Sequence, residues 1–191
     1  FGPRPGRFIR QLVQVAQDLP SAGPKALWGQ RNLLFEGLKV GLKTTGSGPI
    51  TQNVQTPPRL SRLPLLRTWP EDGGHFVTLP LVYTQHPDTG HHNLGMYRIQ
   101  RYDDTTTGVH WQIQKGGGFH YHVAEQRDQA LPLALFIGGP PALMLSAIAP
   151  LPEDLPELIL ASLLQGEKLR RVKHPDVPLP LVAEAEFAVV G

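Results

Sequence analysis

The sequence predicts a mixed α+β domain in which short antiparallel strands surround a β-barrel and two helices are inserted. Three observations predict it. From residue 75 onward, short runs of alternating apolar and polar residues are separated by turn residues, the pattern of half-buried strands. Two later runs, PPALMLSAIA and LPEDLPELILASLLQG, read as helices; in the second, Leu158, Ala161, Ser162 and Gln165 recur at helical spacing. Glycine and proline, 20 of each, punctuate the chain and keep its elements short. Of the 191 residues, 40 % are hydrophobic and 18 % charged, which suits a packed core and argues against a disordered chain.

In chain order, residues 1–45 read as an N-terminal helical arm. Phe8, Leu12, Val15 and Leu19 form an apolar stripe closed by Pro20, and KALWGQRNLLFEGLKVGL reads as a second helix weakened by its glycines. Residues 46–191 form the barrel domain. It opens with an extended stretch rich in Thr, Pro, Gly and Arg, which ends in the turn of LPLLRTWPEDGG. HFVTLPLVYTQ alternates through Val77, Leu79, Leu81 and Tyr83 as one strand. HPDTGHHN is a turn, LGMYRIQRY a strand, DDTTTG a turn, VHWQIQ a strand and KGGG a loop. FHYHVAEQRDQA begins as a strand and ends as a helix, and LPLALFIGG has buried-strand length. The two helices follow, the second starting after Pro152, and EKLRRV and PLPLVAEAEFAVVG return to strands.

Composition removes several function classes. With no cysteine, disulfides, thiolate metal sites and cysteine nucleophiles are excluded, which leaves His, carboxylate, amide and hydroxyl ligands. A net charge of +2 without a Lys/Arg block gives no nucleic-acid footprint. No run has the length of a membrane span, and FGPRPGRFIRQ lacks a signal peptide's apolar segment, so a cytoplasmic protein is expected. GxSxG and HExxH are absent.

Polar chemistry gathers at the start of one strand, in HHNLGMYRIQ. Asn93 offers an amide oxygen after the turn. Met96 and Arg98 share one strand face, with Tyr97 on the other. Arg98 is either exposed on an edge strand or, if buried, in need of an anion. Farther on, His110, Gln112 and Gln114 would share a polar face, with Trp111 and Ile113 opposite. Lys115 then meets three glycines, whose bare N–H groups suit phosphate; the arrangement is also that of an ordinary loop and does not follow the nucleotide P-loop plan. His120 and His122 read either as a zinc pair needing a third ligand or as solvated side chains. GGPP, at residues 138–141, is either an anion-favouring helix start or a tight turn. Glu157 is a surface carboxylate if alone and a hard-metal ligand if it stands beside Asn93.

Taken as an ordered series, LPLLRTWPEDGGHFVTLPLVYTQHPDTGHHNLGMYRIQ, HWQIQKGGGFHY, LPLALFIGGPPA, APLPEDLPELILASLLQGEKL and VPLPLVAEAEFAVVG resemble the UbiD family of decarboxylases. The resemblance covers roughly residues 60 to 191. It implies a split β-barrel like that of flavin-reductase-type FMN-binding domains. It also implies reversible decarboxylation of aromatic or α,β-unsaturated carboxylic acids on prenylated FMN, a cofactor supplied by a flavin prenyltransferase. By the same resemblance, Mn2+ (or Mg2+) and often K+ hold the cofactor phosphate. Asn93 and Glu157 match metal ligands, and Gln114 stands where many relatives have a metal-binding His. Arg98 matches the catalytic arginine of a Glu–Arg–Glu network. Asn93, Met96, Tyr97 and Arg98, with His110, Trp111, Gln112, Lys115 and Gly116, match cofactor-contacting segments. Relatives continue into an EGPxGE-like stretch and an oligomer-forming C-terminal domain. The chain is therefore expected to be a central domain with little turnover alone. Two other readings are a non-catalytic flavin-binding or assembly module and a plain FMN oxidoreductase.

Overall fold

The computed structural model describes residues 38–112, 114–151, 155–175 and 177–191; the first helix expected of the N-terminal arm, and most of the second, lie outside them. The described residues form ten strands and three α-helices. The strands are β1 (Leu42–Thr45), β2 (His75–Val77), β3 (Leu81–Gln85), β4 (His92–Met96), β5 (Ile99–Arg101), β6 (Thr107–Val109), β7 (Leu133–Ile137), β8 (Leu169–Val172), β9 (Leu181–Val182) and β10 (Phe187–Val190). The helices are α1 (Gly116–Gln126), α2 (Pro141–Ala147) and α3 (Glu157–Gln165). The strands make three sheets, ordered β1-β8-β9, β10-β7-β3-β4 and β2-β5-β6. Pairing is antiparallel except between β1 and β8.

The four-stranded sheet forms the centre because β3 and β7 are apolar on both faces, as strands covered from two sides must be. One face packs Leu81, Tyr83, Leu94 and Phe136 against Leu143 of α2 and Leu158 of α3. The other packs Val82 and Leu135 with Val77, Tyr97 and Ile99, and Trp111 lies against that cluster. The chain passes from the four-stranded to the three-stranded sheet at Tyr97 and Arg98, between β4 and β5. α3 is stopped by Gly166 in the left-handed conformation, φ 78°, a position glycine fills without steric cost. Ser162 of α3 accepts the Gly41 N–H at 2.8 Å and donates to Glu167 O at 2.7 Å, which ties β1 to the helix.

Four local expectations are corrected. HFVTLPLVYTQ is two strands in two different sheets, β2 and β3, interrupted at Pro80, whose missing N–H cannot continue a ladder; Leu79 is exposed. VHWQIQ is not a strand beyond Val109, so His110, Gln112 and Gln114 do not share a strand face. KGGGFHYH is neither a loop nor a strand: α1 begins at Gly116. Glycine is a poor helix former, but a Cβ on Gly117 would lie 2.9 Å from the Tyr97 hydroxyl and 3.0 Å from the Trp111 ring. Close approach to the sheet therefore selects glycine over propensity. His120 and His122 consequently part: His120 is buried and His122 exposed, and they form no metal pair. α3 begins at Glu157, after Pro156, not after Pro152.

His120 docks α1 on the sheet, its Nδ1 2.9 Å from Thr84 Oγ1. Burial, with His86, His92 and His91 nearby, pushes the imidazole down from 6.5 to about 4. The unfolded chain therefore binds the proton more readily between those values, and stability falls as pH drops from 6.5 toward 4. We expect this group to remove about 2 kcal/mol of unfolding free energy across that window. His120→Asn should flatten that part of the curve, as read by denaturant unfolding at a series of pH values.

Candidate functional site

The polar residues singled out at the start of β4 meet the first turn of α1. The Gly117 N–H donates to the Tyr97 hydroxyl at 2.9 Å, in a buried setting. That bond brings Gly116 against Asn93: a Cβ on Gly116 would lie 2.3 Å from Asn93 Oδ1 and 2.8 Å from its Cγ. Asn93 Nδ2 is buried and makes no hydrogen bond of acceptable geometry, although the amide is close enough to the Tyr97 hydroxyl to oppose its upward shift. Burial is the main cause of that shift, with the Gly117 N–H also opposing it. Trp111 stands edge-on to Tyr97 at 5.0 Å between centroids, and Lys115 Nζ lies 5.8 Å from the Tyr97 ring centre. Asn93, Tyr97, Trp111, Lys115 and Gly116 are thus brought together.

Glu157 joins the group from α3. Its Oε2 accepts the Leu94 N–H at 3.1 Å, one residue from Asn93 across 63 positions of sequence. Pro156 precedes it, an ordinary residue at the start of a helix, and places the carboxylate in the first turn. Burial raises the Glu157 carboxyl, opposed by backbone hydrogen bonds from Glu157 itself and Leu94. Such a half-buried acid, served only by backbone N–H groups, suits a cation. Gln114 is exposed in the turn before α1.

The remaining expected residues stand apart from this group. Arg98 is exposed and points to the other sheet, where it pairs with Asp72 at 2.8 Å and lies over the Phe76 ring at 3.6 Å. His110 touches Arg98 through the backbone, its N–H donating to Arg98 O at 3.1 Å, while its side chain is exposed. Gln112 is exposed and accepts the Lys115 N–H on its carbonyl. Met96 packs into the core on the side of α2 and α3. The GGPP turn leads into α2, but Gly138 faces the Glu186 side chain, which disfavours an anion there.

Sequence reasoning missed Tyr83, which feels the Glu157 charge, and two residues beside it, His92 and Arg171. Tyr83 is pushed up to about 12, chiefly by burial and against the pull of Arg171; the Glu157 charge adds to the rise. His92 stacks on Tyr83 at 4.9 Å, and burial, with Arg171 adding to it, lowers its pKa. His92 Nδ1 and Arg171 Nε are buried without a hydrogen-bond partner. Spacing along the chain carries no trace of this cluster, since β8 is remote in sequence from β4. A cavity of about 460 Å3 lies elsewhere, between the turn at 85–90, residues 129–132 and Pro178–Leu179, and shares no residue with the Asn93 group.

A family model, the 3-octaprenyl-4-hydroxybenzoate carboxy-lyase Rift-related domain of UbiD, matches residues 42–191. The chain belongs to the UbiD family. Among its relatives, an uncharacterized protein of Chlamydia caviae is 46 % identical over 191 residues, covering 100 % of this chain and 32 % of that protein. A Chlamydia pneumoniae protein, named as one of the subunits of a 4-hydroxybenzoate decarboxylase, is also 46 % identical, with the same coverage. The chain thus spans about a third of the length of these relatives. In three dimensions it resembles the UbiD-class enzyme HmfF from Pelotomaculum thermopropionicum in complex with prFMN, with TM-score 0.75 and 25 % identity over 80 % of this chain and 36 % of that one. Its fold also matches vanillic acid decarboxylase from Sedimentibacter hydroxybenzoicus in closed form, with TM-score 0.74 and 23 % identity over 89 % of this chain and 38 % of that one.

The bond between Gly117 and Tyr97 has a measurable weight. Tyr97→Phe removes the acceptor and leaves a buried N–H unpaired, which should lower unfolding free energy by about 1–3 kcal/mol in denaturant titrations. Tyr121→Phe, at an exposed hydroxyl that donates to Glu125, should change it by less than about 0.5 kcal/mol.

Proposed function

We propose that this chain is the prenylated-FMN-binding central domain, of split-barrel type, of a decarboxylase acting reversibly on aromatic or α,β-unsaturated carboxylic acids. The observation that carries the reading is the hydrogen bond from the Leu94 N–H to Glu157, one residue from Asn93, which itself packs on the glycine-rich start of α1, in a chain of the UbiD family. The residues fit a hard divalent cation such as Mn2+ or Mg2+. The Asn93 amide and the burial-raised Glu157 carboxylate supply oxygen donors, and glycine at 116 lets the Asn93 amide lie against the start of α1. Gln114 supplies a third oxygen donor from the turn, and K+ shares the phosphate site. Lys115 offsets phosphate charge, and the Tyr97–Trp111 pair forms one wall of the cofactor seat. His110 and Gln112, both exposed, flank Trp111 in the segment leading into α1, and Met96 supports β4 from behind.

When bound, prenylated FMN supplies the electron sink for carbon–carbon cleavage. The chain's own contribution is to hold and orient. Arg98 receives the substrate carboxylate through charge-assisted hydrogen bonds and keeps it aligned for loss. The segments that complete the pocket and supply a proton donor belong to the remainder of the full-length protein, so this chain alone should show little or no turnover. A flavin prenyltransferase supplies the cofactor. The name of the Chlamydia pneumoniae relative supports 4-hydroxybenzoate as the first acid to try and an assembly of several different polypeptides.

The test uses the full-length protein loaded with cofactor. Asn93→Ala and Glu157→Ala should each weaken Mn2+ binding, measured by titration calorimetry, by about tenfold or more. Gly116→Ala should do the same by pushing the Asn93 amide aside, while circular dichroism stays native. Wild-type Mn2+ affinity in all three variants would refute the assignment.

A further inference from the structure

Arg98 is held from two sides. Its Nη2 donates to Asp72 Oδ1 at 2.8 Å, and its guanidinium carbon lies 3.6 Å from the centre of the Phe76 ring. Its other nitrogens make no hydrogen bond among the described residues. The acid that grips it is fixed in turn. The Thr68 hydroxyl donates to Asp72 Oδ2 at 3.0 Å, and the Asp72 N–H donates to Trp69 O at 3.1 Å. The loop is then pinned to the three-stranded sheet, because Gln100 Nε2 donates to Gly73 O at 3.0 Å. Gln100 sits on β5, two residues beyond Arg98, so the loop closes on the segment that carries the arginine. The Asp72 side chain is 14 % exposed and that of Arg98 is 48 % exposed. The Arg98 hydrogen bond is the main cause holding the Asp72 carboxyl below its usual value, with burial opposing it.

An ion pair this open to water stabilises a fold little. Its geometry does something else. A free arginine side chain samples many rotamers and loses them on binding. One clamped by an acid at one nitrogen and a ring beneath its plane has already lost them, and its remaining donors stay available to a planar oxyanion. We propose that Asp72 is a positioning residue, which holds Arg98 over Phe76 with its remaining donors presented to the carboxylate of the acid substrate. This rests on the reading of Arg98 given under Proposed function. Asp72 acts through Arg98 and does not touch substrate.

The test is chemical and does not depend on turnover. The full-length protein is treated with phenylglyoxal, which modifies accessible guanidinium groups, and Arg98 labelling is measured by peptide mass spectrometry against the exposed Arg62. Asp72→Asn should raise the relative labelling rate of Arg98 about fivefold, because the charged grip is lost while side-chain shape is kept. Thr68→Val, which frees one Asp72 oxygen, should raise it by a smaller factor. 4-Hydroxybenzoate should protect wild-type Arg98, and the concentration needed for half-protection should rise about tenfold in Asp72→Asn. Equal labelling of Arg98 in wild type and Asp72→Asn overturns the proposal, as does faster labelling with unchanged protection. A distinct pattern, in which labelling rises in the variant but the acid protects neither protein, overturns Arg98 as the carboxylate receptor, and the positioning role falls with it.

Discussion

The arrangement depends on one buried hydrogen bond, from the Gly117 N–H to the Tyr97 hydroxyl. A helix N-terminus carries backbone donors with no partner inside the helix, and here one of them is satisfied by a phenol from the end of β4. The consequence is geometric. Tyr97 cannot accept that bond unless the first turn of α1 lies almost in contact with the sheet, and contact so close excludes side chains at residues 116 and 117. The same approach sets Asn93 against bare backbone and leaves its amide nitrogen without a partner. A loop of three glycines in sequence is thus a rigid docking edge in the structure.

That edge also explains what the sequence could and could not reveal. Alternation made β3 legible and an apolar run of strand length made β7 legible, whereas LGMYRIQRY, read as one strand, is the end of β4 and the whole of β5 in two different sheets. Helical spacing similarly announced α2 and α3. The helix at Gly116 was not legible, because propensity argues against three glycines and the reason for them is Tyr97, some twenty residues earlier. The division of HFVTLPLVYTQ was signalled by Pro80 but masked by an apolar alternation that runs through it.

The site was legible in the same uneven way. Asn93 drew notice as polar chemistry at a strand start, and Glu157 only on condition that it stood beside Asn93; the structure brings its Oε2 to the N–H of the next residue, Leu94. Family resemblance, not spacing, connected the two beforehand. Exposure was one of two readings open for Arg98, and the structure bears it out; its acid partner was invisible in sequence because Asp72 reaches it from a loop with no periodicity. Tyr83, His92 and Arg171 gave no sequence signal, because they converge only when β8 and the central sheet pack around α3.

Glu157 serves the sheet as well as the site. β4 is the border strand of its sheet, and Leu94 would otherwise present an unpaired N–H along an open margin. The carboxylate covers that donor with its Oε2. One side chain therefore shields a margin that foreign strands could template on. A chain that lost this acid would forfeit some of its guard against self-association.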